Sequence, residues 1–163
     1  MLNKSDITLV RTGIHVPPLK ASVLGGIFAI LYDDKLTRFK ANESFYDYFI
    51  EIEAPLHNGY SVSVRQLARH ASYVEVARNY GEEHICVTTD FLNDVVLKRL
   101  FPERSGQDLL LDDGRRSIFF IKDRIGIPRI VRVHWEDGMC MLGVYPISDR
   151  FHFRRGTHLF LPA

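Results

Sequence analysis

Alternation of apolar and polar positions is clearest in the last third of the chain. Residues 117–122 (SIFFIK), 129–135, 139–147 and 151–161 are short apolar or alternating runs, and between them stand Ile125-Gly126-Ile127-Pro128 and Glu136-Asp137-Gly138. Asp112-Asp113-Gly114 leads into the first run. Turn residues at this spacing predict a meander of antiparallel strands over 109–161. Along 129–135, Arg129, Val131 and Val133 alternate with Ile130, Arg132 and His134, which sets Arg132 and His134 on the more open face.

Upstream the period changes. Across 61–80, Val64, Leu67, Ala68, Ala71, Val74 and Ala77 recur at helical spacing opposite Arg65, Arg69, Glu75 and Arg78, and Gly81 follows. That predicts one long amphipathic helix. Residues 85–89 (ICVTT) read as a short buried strand, and Asp90 as the cap of a second helix over 91–101 that Pro102 stops. A loop through Ser105-Gly106 follows, so 61–101 is a helical region.

Residues 1–21 read as an N-terminal arm, with a short strand at 6–11 and a stop at Pro17-Pro18. Residues 22–50 read as a hairpin and an aromatic helix. The apolar run 22–32 turns at Asp33-Asp34-Lys35 into the alternating run 36–40, and Asn42 caps a helix whose Phe45 and Phe49 share a face. Residues 48–52 (YFIEI) pass equally as a strand, and Pro55 and Asn58-Gly59 mark a loop. Together these elements predict one α+β domain, an antiparallel sheet of about five or six strands with two main helices, 61–80 and 90–101, on one face.

The chain has 163 residues, 46% of them hydrophobic, enough for a continuous core in one domain. No apolar run approaches the roughly 18 residues of a membrane span, and no basic leader precedes an apolar segment, so a cytosolic protein without membrane attachment is expected. Cys86 and Cys140 lie far apart in apolar surroundings and read as buried reduced thiols. A formal net charge of +1 supplies no global field for nucleic acid. Locally, 42–53 is acidic and 148–163 is basic, with Arg150, Arg154 and Arg155 against Asp149.

Residues 28–49 bear the features AILYDD, LTRFKA, Asn42 and SFYDYF. They resemble the opening of a PAS domain, a sensory module in which a strand ends in an acidic turn and a second strand leads into an Asn that starts a short aromatic helix. Trp135-Glu136-Asp137-Gly138 and GVYPISD are similar to that family's last hairpin and closing strand. The resemblance implies an antiparallel sheet crossed by helices and enclosing a pocket or a pairing surface. It implies no flavin photochemistry, because the cysteine motif of the light sensors is absent.

Chemistry-bearing motifs are sparse. The seven histidines show no metal-ligand spacing; His152 and His158 around Gly156 come nearest, and two exposed strand histidines account for them. No serine sits in a nucleophile elbow and neither cysteine has a neighbouring base. Asp33-Asp34 and Asp112-Asp113 are turn residues. Gly25-Gly26 has no following helix and marks close packing or a bulge. SVRQLARHA resembles the first helix of bacterial helix-turn-helix repressors, but its period runs on as one helix.

The expectation is therefore a non-catalytic sensory or interaction module that binds a small molecule or a partner protein, with Phe45, Tyr46, Phe49 and Trp135 as apolar walls and His134 as a polar handle. No catalytic or metal-binding residue and no particular cofactor is assigned. Two other classes remain. One is a nucleic-acid-associated regulator using Arg65, Arg69 and Arg78 or Arg154 and Arg155. The other is a small hydrolase or lyase in which His134 or His152 meets a carboxylate. The aromatic content and the terminal arms suggest a homodimer.

Overall fold

The structure, a computed structural model, describes residues 1–22, 26–32, 38–101, 109–110 and 115–163. Its elements in order are β1 (Ile7–Val16), β2 (Phe39–Ala41), α1 (Glu43–Phe49), β3 (Tyr60–Leu67), β4 (Ala71–Ser72), α2 (Tyr73–Tyr80), α3 (Thr89–Leu100), β5 (Ser117–Lys122), β6 (Pro128–Glu136), β7 (Met139–Pro146), β8 (His152–Phe153) and β9 (His158–Pro162). The predicted turns at Asp33-Asp34-Lys35, Ser105-Gly106 and Asp112-Asp113-Gly114, and Gly25, lie outside the described residues.

The α+β class holds. Seven strands form one sheet in the order β1-β3-β9-β5-β6-β7-β2, and β4 pairs with β8 in a small second sheet. The main sheet is mixed, not antiparallel: β9 runs parallel to β5, and β2 parallel to β7. The predicted final run, 151–161, divides into β8 and β9. In β9, His158 through Leu161 are all buried, and a strand apolar on both faces belongs in the middle of a sheet.

Residues 61–80 are not one helix. Tyr60–Leu67 is a strand between β1 and β9, and only Tyr73–Tyr80 is helical. Val62 and Val64 face one side of the sheet while Leu67 packs on the other, so the alternation of SVSV outweighs the helical spacing. The helix starts where Ser72 and Glu75 form a reciprocal capping box, and it ends at Gly81, whose φ is 85°. The two main helices also lie on opposite faces. Phe91, Leu92, Val95, Val96 and Leu100 of α3 pack with Phe45 and Phe49 of α1 against Phe119, Val131 and Phe160. Tyr73 and Val76 of α2 pack with Phe153 against Ile118, Phe120, Ile130 and Leu159. A sheet buried on both faces needs such cover on both.

The beginning of the chain is part of the sheet, not an arm: β1 is an edge strand paired with β3 through two irregularities. The described residues of 22–40 do not form the expected hairpin strands. Residues Ala29–Tyr32 form a 3-10 helix that buries Phe28 and Leu31, and β2 pairs with β7. Residues 85–89 make one isolated bridge, Cys86 to Phe120, before α3 begins with Thr88, not Asp90, as its N-cap.

Two predicted details are in place. Asn42 caps α1, accepting the Phe45 N–H at 3.2 Å, and is bound to the Val144 backbone in both directions at 3.1 Å, which anchors the helix to β7. Asp137 and Gly138, at φ 50° and 76°, form the two-residue turn between β6 and β7. No helix among the described residues is long and apolar enough to cross a membrane.

Candidate functional site

The polar groups least accounted for by folding gather at the N-terminal end of α3. Three segments meet there. The loop 55–59 is held to residue 19 by paired backbone hydrogen bonds between Leu19 and His57 at 3.0 and 3.1 Å. The start of β3 contributes Tyr60. The segment after α2, bridged to β5 through Cys86, delivers Thr88.

Tyr60 is the joint. Its Oη accepts the Thr88 N–H at 2.8 Å and lies 2.8 Å from Thr88 Oγ1. Enclosure pushes its ionisation above the usual tyrosine value. Because Thr88 Oγ1 is engaged with Tyr60, it does not cap α3. His57 is a strut between loop and helix. Its Nδ1 accepts the Gly59 N–H at 3.1 Å, so Nε2 carries the proton and donates to Asp90 Oδ2 at 3.0 Å. Both side chains are 14% exposed.

Beside these joints, Thr89 Oγ1, Asp90 Oδ1 and Asn93 Oδ1 are enclosed and accept no hydrogen bond from any described residue. Thr89 is only 1% exposed. An enclosed acceptor without a donor costs about 1–3 kcal/mol, so three of them within the first five residues of one helix call for a cause. Of the three, Thr89 lines one of two neighbouring cavities, and Asp90 and Asn93 line neither. One of about 440 Å³ is lined by Tyr60, His84 and Pro162, and another of about 280 Å³ by Pro55, Thr89 and Lys122. Glu83, Cys86 and Thr88 line both, making them lobes of one cleft.

His57 has both ring nitrogens committed, one to the Gly59 N–H and the other to Asp90. Burial pushes the Cys86 thiol above its usual value, with Lys122 opposing and Glu82 adding to the shift, which disfavours the nucleophilic thiolate. Cys86 is half-buried, unlike the fully buried Cys140, and neither is in a disulfide.

The five residues expected to line a pocket are not gathered in one. Phe45 and Phe49 are fully buried and stack at 6.1 Å, with Tyr46 5.6 Å from Phe45 at the core's edge. Trp135 packs at the rim of the same core, with the Arg99 guanidinium 4.4 Å from its ring centre. His134, the next residue along β6, points to the opposite face, where its Nε2 lies 3.2 Å from Glu136 Oε2. That is the histidine–carboxylate pair anticipated for an enzyme, but Glu136 is 63% exposed and the pair borders neither lobe. His152 is exposed in β8 and His158 buried in β9, so they share no surface. Among the described residues no group of three or more His, Cys, Asp or Glu could hold a metal ion.

The arginines at 65, 69 and 78 form no stripe. Arg65 lies 5.3 Å over the Tyr80 ring. Arg69 is held by Asp6 at 3.2 Å and Glu75 at 2.8 Å, and its guanidinium brings the Glu75 carboxyl down to about 2. Arg78 is exposed on α2, and Arg154 and Arg155 are exposed between β8 and β9.

Sequence reasoning passed over His57, Tyr60, Thr88 and Thr89 and took Asp90 for a cap. The available signal was Thr88-Thr89-Asp90, three polar residues where one cap suffices, before an apolar helix. No protein-family model, curated protein or solved structure matches the chain.

Proposed function

We propose that this chain is a non-catalytic binding module that holds a small polar molecule in the cleft where β3, residues 82–88 and α3 meet. One observation carries the reading: the enclosed Thr89 hydroxyl, which lines the cleft, has no hydrogen-bond partner among the described residues. A threonine hydroxyl both donates and accepts, so the ligand it favours is polar and offers an N–H or O–H group as well as an acceptor. A combined cleft of this size lies in the range of small-molecule sites, roughly 300–1,000 Å³. The two committed nitrogens of His57 and the upward push of burial on the Cys86 thiol support recognition over hydrolysis.

The test is a thermal-shift screen against primary amines, amino acids and amides, repeated on Thr89→Val, with native mass spectrometry of gently purified protein. At least one donor-bearing compound is expected to raise the midpoint in the parent and to lose that effect in the variant. If no compound shifts the midpoint and Thr89→Val merely stabilises the protein, the hydroxyl is a tolerated defect and the reading fails.

A further inference from the structure

A second unexplained feature lies at the other end of β5. Arg115 and Arg155 line one cavity of about 480 Å³ together with Thr8, Gln66 and Gly156. Thr8 and Gln66 are directly paired across β1 and β3, so their side chains enter from one face. Arg116 emerges on the other face. Ile118 pairs with Arg132 of β6, and two residues back along the same face stands Arg116, a diagonal neighbour of Arg132. Burial first, then the charges of Arg132 and Arg154, make the Arg116 guanidinium easier to deprotonate than usual, while Tyr145 and Glu136 oppose this. Arg132 donates to Tyr145 Oη at 2.5 Å, and its enclosed Nε has no acceptor among the described residues. In a chain whose net charge is only +1, five arginines at positions 115, 116, 132, 154 and 155 are thus drawn to one end of the sheet from three separate segments.

We propose that the cavity between Arg115 and Arg155 binds a phosphate monoester, with Arg154 next in sequence and Arg116 and Arg132 on the opposite face of the sheet contributing only longer-range charge. Guanidinium forks match phosphate oxygens in pairs, and a dianion offsets the mutual repulsion of clustered arginines better than a single carboxylate does. Thr8 and Gln66 supply neutral hydrogen-bonding groups beside the charged pair. The monoester can belong to a free phosphorylated small molecule or to the 5′ end of an oligonucleotide.

Calorimetric titration of the full chain with adenosine 5′-monophosphate, and with a short oligothymidylate carrying either a 5′-phosphate or a 5′-hydroxyl, tests this. Binding of the mononucleotide identifies the free small molecule as a source, and binding of the 5′-phosphorylated oligonucleotide alone identifies the strand end; either result supports the site. Arg115→Ala and Arg155→Ala, both at exposed positions, are each expected to weaken binding about tenfold, Arg155→Ala with an unchanged melting midpoint, and Arg78→Ala to leave binding unaltered. Equal affinity for the 5′-hydroxyl strand, binding of neither monoester, or full affinity in both arginine variants overturns the proposal.

Discussion

Replacing Asp123 by alanine tests the hairpin that aligns β5, the strand whose two ends serve the cleft and the arginine cavity. The Asp123 side chain is fully enclosed. Its Oδ1 accepts the N–H groups of Ile125 and Ile127, both at 3.0 Å, and its Oδ2 accepts Arg129 Nε at 2.8 Å. One carboxylate therefore closes the β5–β6 loop and neutralises a guanidinium that is itself 13% exposed and lies 4.1 Å from the Tyr48 ring centre. Three bonds to a charged acceptor at about 1.5–3 kcal/mol each overstate the loss, because water reaches the exposed loop around Ile125 once the carboxylate is gone. Breaking a buried pair by removing one partner costs about 3–5 kcal/mol, and the lower end is expected here. Urea unfolding at pH 7, followed through the fluorescence of Trp135, the chain's one tryptophan, measures it.

The same group fixes a pH dependence. Burial works to raise the Asp123 carboxyl, but the Ile127 N–H, the Arg129 guanidinium and the Ile125 N–H outweigh it and hold the group below its ordinary value of 3.8. A carboxyl whose folded pKa is depressed contributes its full stabilisation above the unfolded pKa and loses it as pH falls through the folded one. The gap between parent and Asp123→Ala is therefore expected to be constant from about pH 7 to 5 and to narrow below about pH 4. A gap under about 1 kcal/mol at neutral pH would refute the assigned role of the carboxylate. A gap that persists undiminished in acid would show that lost packing, not lost charge, is its source.

Two further outcomes follow from the packing. Phe45→Ala, at a fully buried ring within 5.2 to 6.1 Å of Phe28, Phe39, Tyr46 and Phe49, is expected to cost about 3–5 kcal/mol in chemical denaturation; a loss below about 1 kcal/mol would mean the α1 core is not formed. A double-mutant cycle of His57→Ala and Asp90→Ala is expected to give a coupling of about 0.5–3 kcal/mol and to speed hydrogen exchange at the Gly59 amide, whereas strictly additive losses would show that the strut does not join loop and helix.

How far this architecture is legible in the chain depends on the range of the interactions involved. The β6–β7 hairpin and the Asn42 cap are local: Asp137-Gly138 sets a two-residue turn, and one side chain meets an amide three residues on. Residues 61–80 fail as a single helix because Val64 and Leu67, which share a helical face by spacing, are buried on opposite faces of a sheet that is covered on both sides. Yet the break was marked. Ser72-Tyr73-Val74-Glu75 has the spacing of a capping box, which has no use inside a continuing helix, and the SVSV before it alternates. The position of β9 between β3 and β5 has no local marker, because parallel pairing with β5 is decided by which strand buries both faces. The cleft is further still from local reading: His57 and Asp90 are 33 residues apart, and a histidine beside an Asn-Gly turn carries no chemical signature until the fold brings it to a carboxylate. A composition search for reactive groups overlooks such a site, since Thr89 and Asn93 are ordinary helix residues by sequence. What distinguishes them is that folding encloses their oxygens and leaves them without a donor among the described residues.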